Sequence, residues 1–363
     1  LKTRKIKTIS SNSIIDIDKS SFVSSYSQKD LDWLYGVDVD DDNNNNSFTD
    51  ARTDIMGDPL HSKPLAINFG GKPNSDGSEN LDVRIIFGTN QGMVHMFKDS
   101  DSGSDDYSVG TVSESWALIP SELWKNVPTL RQNTPTGEHS VYGMDLSPVA
   151  YTETNDDGKI DKAYLFLGMR RGGASYYAIN ITNPDEPSFM WMINSDTSNY
   201  EDLGQTWSEP VATLVPGVSE PVVIFGGGMA SSAGSGEGIY IVDAKNGGDP
   251  IKLFTAQGMS SIATKVATLD SDNDGVTDRL YATDISGNIW RMDMPSADKS
   301  SWSIFKFASI SGASPDNRMF FAEATVAQTQ FNNINKASDG TLSYQNTPYD
   351  AVTVGSGNRT NPL

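Results

Sequence analysis

Five times along this chain an apolar, strand-like run ends in a small residue, turns, and gives way to a second such run. The copies are VRIIFGTNQGMVHMF (83–97), AYLFLGMRRGGASYYAI (163–179), PVVIFGGG continuing to GIYIVDAKNG (221–247), RLYATDISGNIWRMD (279–293) and AVTVGSGN (351–358). Their turn positions, Gly88, Gly168, Gly226, Asp284 and Gly355, are 80, 58, 58 and 71 residues apart. A period of that length accommodates a four-stranded sheet with its loops, the pattern of propeller blades carrying insertions. The links TNQG, DISG and AKNG supply residues that tolerate positive φ in hairpin turns. Helical periodicity is nearly absent, which removes the helices a doubly wound α/β sheet needs. The expected fold is all-β, a modified β-propeller with inserted loops, with at least five blades visible and seven expected in total. The fifth copy stops at GSGNRTNPL, so its further strand is expected either from a trimmed continuation or from the N-terminal segment.

Residues 1–50 are rich in Ser, Asn and Asp and hold one short apolar cluster, DLDWLYGV (30–37); they are expected to form a polar, acidic, peripheral arm, with 51–363 as the propeller domain. With 47 acidic against 27 basic side chains, the net charge of −20 works against nucleic acid and anionic lipid as partners. No run of apolar residues is long enough for a membrane span, and LKTRKIKTIS lacks the apolar stretch of a secretion signal, so a soluble piece is expected. The absence of cysteine excludes disulfides, thiolate nucleophiles and Cys-bearing metal sites, while His61, His95 and His139 are too scattered for a zinc motif. A hard cation bound by oxygen remains.

The segment DSDNDGVTD (270–278) matches the pattern DxDxDGxxD. By analogy with the EF-hand loop, the side chains of Asp270, Asp272 and Asp274, the carbonyl of Val276 and the side chain of Asp278 are candidate calcium ligands, with Gly275 at the sharp turn. Tyr281 stands where an EF-hand carries its bidentate Glu, and the flanks VATLD and RLYATD are strand-like. A β-loop-β calcium loop is therefore expected, with Asp278 ligating directly. Unneutralised, each pair of carboxylates repels by about 1 kcal/mol at ~4 Å in bulk water. The bland alternative is an acidic, solvent-exposed turn.

ETNDDGKID (153–161) repeats the register with a poorer set, Glu153, Asn155, Asp157 and Asp161, and Lys159 beside it; a structural hairpin is favoured there. The tract Asp38, Asp40, Asp42 lacks the turn glycine and is expected to be a flexible acidic loop. Gly226–Gly238 has no phosphate-loop lysine and no following helix, so it reads as a hairpin connection. Arg170 and Arg171 are expected to pin carboxylates or aromatic rings, and Trp191, Trp207, Trp290 and Tyr240 to pack between sheets.

RTDIMGDPLHSKP (52–64), IIFGTNQGMVHMF (85–97), GMRRGGASYYAIN (168–180), TWSEPV (206–211) and the DSDNDGVTD loop followed by ATDISGNIWRMD, taken in order, resemble the C-terminal domain of the PilY/PilC family of type IV pilus tip-associated proteins. The resemblance covers residues 52–358. It implies a non-enzymatic module on the bacterial cell surface, extracellular at the pilus tip or outer membrane, whose calcium loop influences the balance of pilus extension and retraction. It also implies adhesion, with minor pilins or the pilus tip complex and host or abiotic surfaces as partners. The loop carries over as Asp270, Asp272, Asp274, the Val276 carbonyl and Asp278; family members often have Asn at the place of Asp274. The family's variable adhesin portion has no counterpart here. Two alternatives stand beside this reading. GIYIVDAKNG resembles the repeat of quinoprotein dehydrogenases that use pyrroloquinoline quinone, although their calcium site is assembled from several blades whereas these carboxylates are contiguous. A purely structural propeller is the other.

Overall fold

The computed structural model describes residues 4–17, 20, 22, 24–73, 75–77, 80–99, 112–134, 141–312 and 317–359. The chain divides into two compact units, Leu1–Glu209 with Ala244–Asp249, and Pro210–Asp243 with Pro250–Leu363.

Four antiparallel meanders follow one another along the chain. β3 (Leu65–Asn68), β4 (Val83–Gly88), β5 (Val94–Asp99) and β6 (Val112–Pro120) form the first; β7 (Val149–Thr154), β8 (Ile160–Gly168), β9 (Tyr176–Asn180) and β10 (Ser188–Ile193) the second. The third comprises β11 (Val211–Thr213), β12 (Val222–Gly226), β13 (Ile239–Asp243) and β14 (Gly247–Phe254), and the fourth β15 (Ala267–Leu269), β16 (Arg279–Thr283), β17 (Asn288–Asp293) and β18 (Ser303–Ser309). The architecture is all-β, as the repeats indicate. At the fifth copy lies a two-stranded sheet, β19 (Thr325–Lys336) paired with β20 (Leu342–Thr353), in place of a four-stranded one.

All five turn positions fall at or just after the end of a second strand, and at Gly88, Gly168 and Gly226 the reason for glycine is a close approach, whereas nothing lies within 4 Å of a Cβ on Gly355. A Cβ on Gly88 would lie 1.9 Å from the carbonyl oxygen of Met144, and one on Gly226 2.4 Å from the Ile262 side chain. At both, the segment entering the following sheet crosses the strand end, and a side chain would push it away. Asp284 takes this position in the fourth copy, and its fully buried carboxylate accepts hydrogen bonds from Trp290 Nε1, Asn288 Nδ2 and the backbone amides of Ser260, Ser286 and Asn288.

Inner strands are buried on both faces, which is why they read as continuous apolar runs: every residue of β12 is buried. In the second unit, Val222, Ile224, Ile239 and Ile241 share one core with Leu280, Ala282, Trp290 and Met292.

The N-terminal segment departs from the expectation of a peripheral arm. β1 (Ile6–Ser10) pairs in parallel with β6, Ile6 opposite Ala117, and β2 (Ser13–Asp16) pairs with β1, so the first sheet has six strands. A short helix, α1 (Gln28–Leu34), is held at its start by a Ser27/Asp30 capping box. Ile6, Ile9, Phe22, Leu31, Trp33 and Leu34 enter the core of the first unit. The polar composition of 1–50 hid apolar residues too few and too scattered to stand out from their surroundings. This added strand joins the first sheet and leaves the fifth copy's sheet as it is.

Glu114 ties the segment down. It accepts from Arg4 Nε and Nη2 at 2.6 and 2.8 Å and pairs with His95 Nδ1 at 2.8 Å. Burial raises a carboxyl pKa, but here the hydrogen bonds and charges of Arg4 and His95 outweigh it and hold Glu114 down at about 2. Because the folded value lies below the unfolded one, the stabilisation is complete above about pH 4.5 and is lost as pH falls toward 2. Acid titration of the fold is expected to show this loss in the wild type and a flatter profile over that window in Glu114→Gln. Equal slopes would remove Glu114 from the account.

Candidate metal centre

The loop 270–278 joins the first and second strands of the fourth sheet, β15 and β16, and the weaker copy joins the corresponding strands β7 and β8 of the second sheet. The two segments thus share a structural register as well as a sequence one.

Asp270 organises the turn. Its carboxylate accepts from the amides of Asp274 at 3.1 Å and Gly275 at 2.8 Å, and Asp274 Oδ1 accepts from the amide of Val276 at 2.8 Å. Asn273 at φ 62° and Gly275 at φ 90° take the left-handed conformation, which Asn and Gly adopt at least cost. Carboxylate oxygens of Asp270, Asp272 and Asp274 come within 4.8 Å of one another, the one such group able to hold a metal among the described residues.

The charges are unequal. Amide hydrogen bonds, that of Gly275 foremost, hold Asp270 below the usual carboxylate value. The negative charge of Asp274, followed by slight desolvation, pushes Asp272 up. A hard divalent cation suits this all-oxygen set, and the three gathered carboxylates fit it. Asp278 stands apart from that group. Both its oxygens face Ser271, accepting from the backbone amide at 3.1 Å and from the hydroxyl.

The second loop differs. Glu153 is taken up by Lys162 at 2.8 Å and Tyr151 at 2.7 Å, and Asn155 Oδ1 accepts from the amides of Asp157 and Lys159, as in a hairpin turn. In the Asp38 tract, Asp38 is fully buried and accepts from the amide of Asp42, while Asp40 pairs with Arg131 at 2.6 Å. That tract is built in rather than loose.

Arg170 packs over Trp207 at 4.2 Å and reaches Asp145 at 3.4 Å; Arg171 lies 5.3 Å from both Tyr142 and Trp207. The arginine pair pins rings and a buried carboxylate, as expected. His61 pairs with Asp145 at 2.8 Å and His95 with Glu114, while His139 lies outside the described residues. The glycine-rich stretch connects β12 to β13, with Gly227 donating to the Gly238 carbonyl at 2.8 Å. Trp191, Trp207, Trp290 and Tyr240 are all buried.

Two features had no local signal in sequence. Gln328 Nε2, on β19, donates to the Ser271 carbonyl at 3.0 Å and so touches the loop from 57 residues away. Beside it lies a cleft of about 820 Å³ between one face of β16–β18 and the β19–β20 hairpin. Arg279 and the Tyr281 hydroxyl both donate to Asp350 across that cleft. Burial and the bond to Asp350 push the Tyr281 phenol up to about 12, so it remains a donor at neutral pH.

The family description "PilY1 beta-propeller domain" matches residues 66–323. The type IV pilus biogenesis factor PilY1 of Pseudomonas aeruginosa strain UCBPP-PA14 is 28% identical over 67% of this chain and 21% of its own length. A PilY1 homolog of Xylella fastidiosa is 28% identical over 65% of this chain and 15% of its own length. The chain therefore spans about a fifth or less of these relatives. The crystal structure of the Pseudomonas aeruginosa PilY1 C-terminal domain superposes with a TM-score of 0.51 at 20% identity, over 76% of this chain and 53% of the solved one, a likeness of fold. With the match to the family description extending over most of its residues, and with repeated meanders of the kind that description names, the chain belongs to the PilY1 β-propeller domain family.

Proposed function

We propose that this chain is a non-enzymatic, calcium-binding module of a type IV pilus biogenesis factor, acting extracellularly at the bacterial surface in the balance of pilus extension and retraction and in adhesion. Minor pilins or the pilus tip complex are its partners, with host or abiotic surfaces contacted through it. The relatives' printed role in type IV pilus biogenesis supports the setting. The observation that carries the calcium reading is the gathering of Asp270, Asp272 and Asp274 on one loop between two strands.

Asp270, Asp272, Asp274, the Val276 carbonyl and Asp278 are the residues that would hold the ion. Calcium supplies a compact divalent charge that offsets the mutual repulsion of the carboxylates. Ser271 orients Asp278, and Asp270 fixes the turn through two amides. The turn that Asp270 fixes keeps the oxygens of Asp270, Asp272 and Asp274 close before binding, while Asp278 has to turn from Ser271 to join them.

Isothermal titration of calcium into the wild type is expected to give saturable heat that Asp278→Ala loses or weakens strongly. Equal heats in both proteins would favour the purely structural alternative, and quinone-dependent dye reduction by the purified protein would favour the dehydrogenase.

A further inference from the structure

The segment that opens at Arg52 takes no part in the metal loop, and one of its side chains is incompletely satisfied. Arg52 is 7% exposed, and its guanidinium lies 4.0 Å over the ring of Trp33. Its oxygen partners are all neutral. Nη2 donates to the Trp33 carbonyl at 3.2 Å, to that of Ile55 at 3.5 Å, and to Gln91 at 3.3 Å in the amide orientation that satisfies both ends of Gln91. Nε is buried without a partner, and Nη1 has none among the described residues. Arg52 forms no ion pair among those residues either. Burial, the largest influence on it, holds its pKa down at about 10, so it is still a cation at neutral pH. Buried charges in proteins are paired as a rule, and this one lacks its anion.

Arg52 lines a cleft of about 440 Å³, within the range of small-molecule sites, about 300–1,000 Å³. Two segments distant in sequence build the cleft. Asp54 and Asp58 follow Arg52 along the chain, while Asn90 and Gln91 sit on the turn between β4 and β5. Asp58 fastens the two together, its carboxylate accepting from Asn90 Nδ2 at 3.0 Å and its carbonyl from the Asn90 amide at 3.0 Å. Asp42 and Asp54, both exposed, add negative charge to the wall. Their carboxylates act on Arg52 at longer range without an ion pair, and neither accepts a hydrogen bond among the described residues.

These charges select the ligand. An anion alone would meet Arg52 but also two uncompensated carboxylates, and a cation alone would meet the carboxylates but also the arginine. A molecule carrying both charges satisfies all three. From this arrangement we propose that the cleft binds a small zwitterion with a carboxylate and an ammonium group, the class of a free amino acid, its carboxylate on Arg52 and its ammonium toward Asp42 and Asp54. Trp33 holds the guanidinium fork from beneath, and a charge-assisted bond from Nη1 gives the carboxylate its anchor. The site is independent of the loop at 270–278.

Saturation-transfer NMR and calorimetry on the full chain test this, with chelator present to keep that loop out of the measurement. The probes are glycine, 3-aminopropionate and 4-aminobutyrate, whose two charges stand progressively further apart, and acetate and methylammonium, which carry one charge each. Saturable binding of at least one amino-carboxylate is expected, about tenfold or more tighter than acetate or methylammonium. Arg52→Gln should abolish it. Because Arg52 packs on Trp33, its replacement can disturb the fold, so Asp42→Asn and Asp54→Asn, at exposed positions, supply a second arm. Each should weaken the amino-carboxylate while leaving acetate bound no more weakly than before. Amino-carboxylates that bind no better than the singly charged probes would overturn the proposal. So would amino-carboxylate binding unchanged in Asp42→Asn and Asp54→Asn, which would leave Arg52 a structural residue satisfied by its carbonyl partners.

Discussion

Asp284→Ala is expected to lower the unfolding free energy by about 3–5 kcal/mol, because each buried donor left without an acceptor costs about 1–3 kcal/mol. Five donors converge on this carboxylate, two from side chains and three from backbone amides, and those of Asn288 and Trp290 are buried and would be left without an acceptor. Trp290 Nε1, at 2.9 Å, is the most consequential, because its indole sits in the core shared by the third and fourth sheets. Asp284→Asn keeps one acceptor oxygen and should lose less. Urea unfolding followed by tryptophan fluorescence distinguishes the two variants. An alanine variant within about 1 kcal/mol of wild type would show that the network contributes little to stability.

Calcium should produce the second large effect. At a hundredfold excess over its dissociation constant, a ligand that binds only the folded state adds about 2.7 kcal/mol. For a unit of this size that corresponds to a rise of about 5–10 °C in Tm. The rise should follow calcium concentration, vanish with chelator, and be lost in Asp270→Ala, which removes both a proposed ligand and the acceptor for the Asp274 and Gly275 amides. To separate these causes, chelated wild type and chelated variant are compared: the difference between them is the turn's own contribution, and the remainder belongs to the ion. A Tm indifferent to calcium in the wild type would sink the metal reading and leave the family assignment untouched.

The repeats were legible because each meander is local: strand, turn and strand succeed one another, so the apolar runs and glycines that build a sheet lie together in the sequence. The gathering of Asp270, Asp272 and Asp274 on one loop was legible for the same reason, these acidic residues lying close together in the sequence. What escaped was non-local. β1 finds its partner at Ala117–Pro120, and nothing in IKTIS announces a parallel pairing with a strand so far along the chain. Gln328 reads as one polar residue in an exposed strand, and only the fold brings it to the Ser271 carbonyl. Asp284 looked like an exception to the glycine pattern. Its real role depends on Trp290 and Asn288 bending back across a turn, together with Ser260 from another segment.

The parallel pairing of β1 with β6 also sets an order of events during synthesis. The second, third and fourth sheets can each assemble from consecutive strands as they emerge. The leading strand instead has to wait, unpaired on its inner side, until residues 117–120 have been made. Non-local pairing of this kind closes late because a long loop must first be brought together. Apolar Ile6 and Ile9 stay uncovered in the interval, making the beginning of the chain the last part of its sheet to become safe from aggregation.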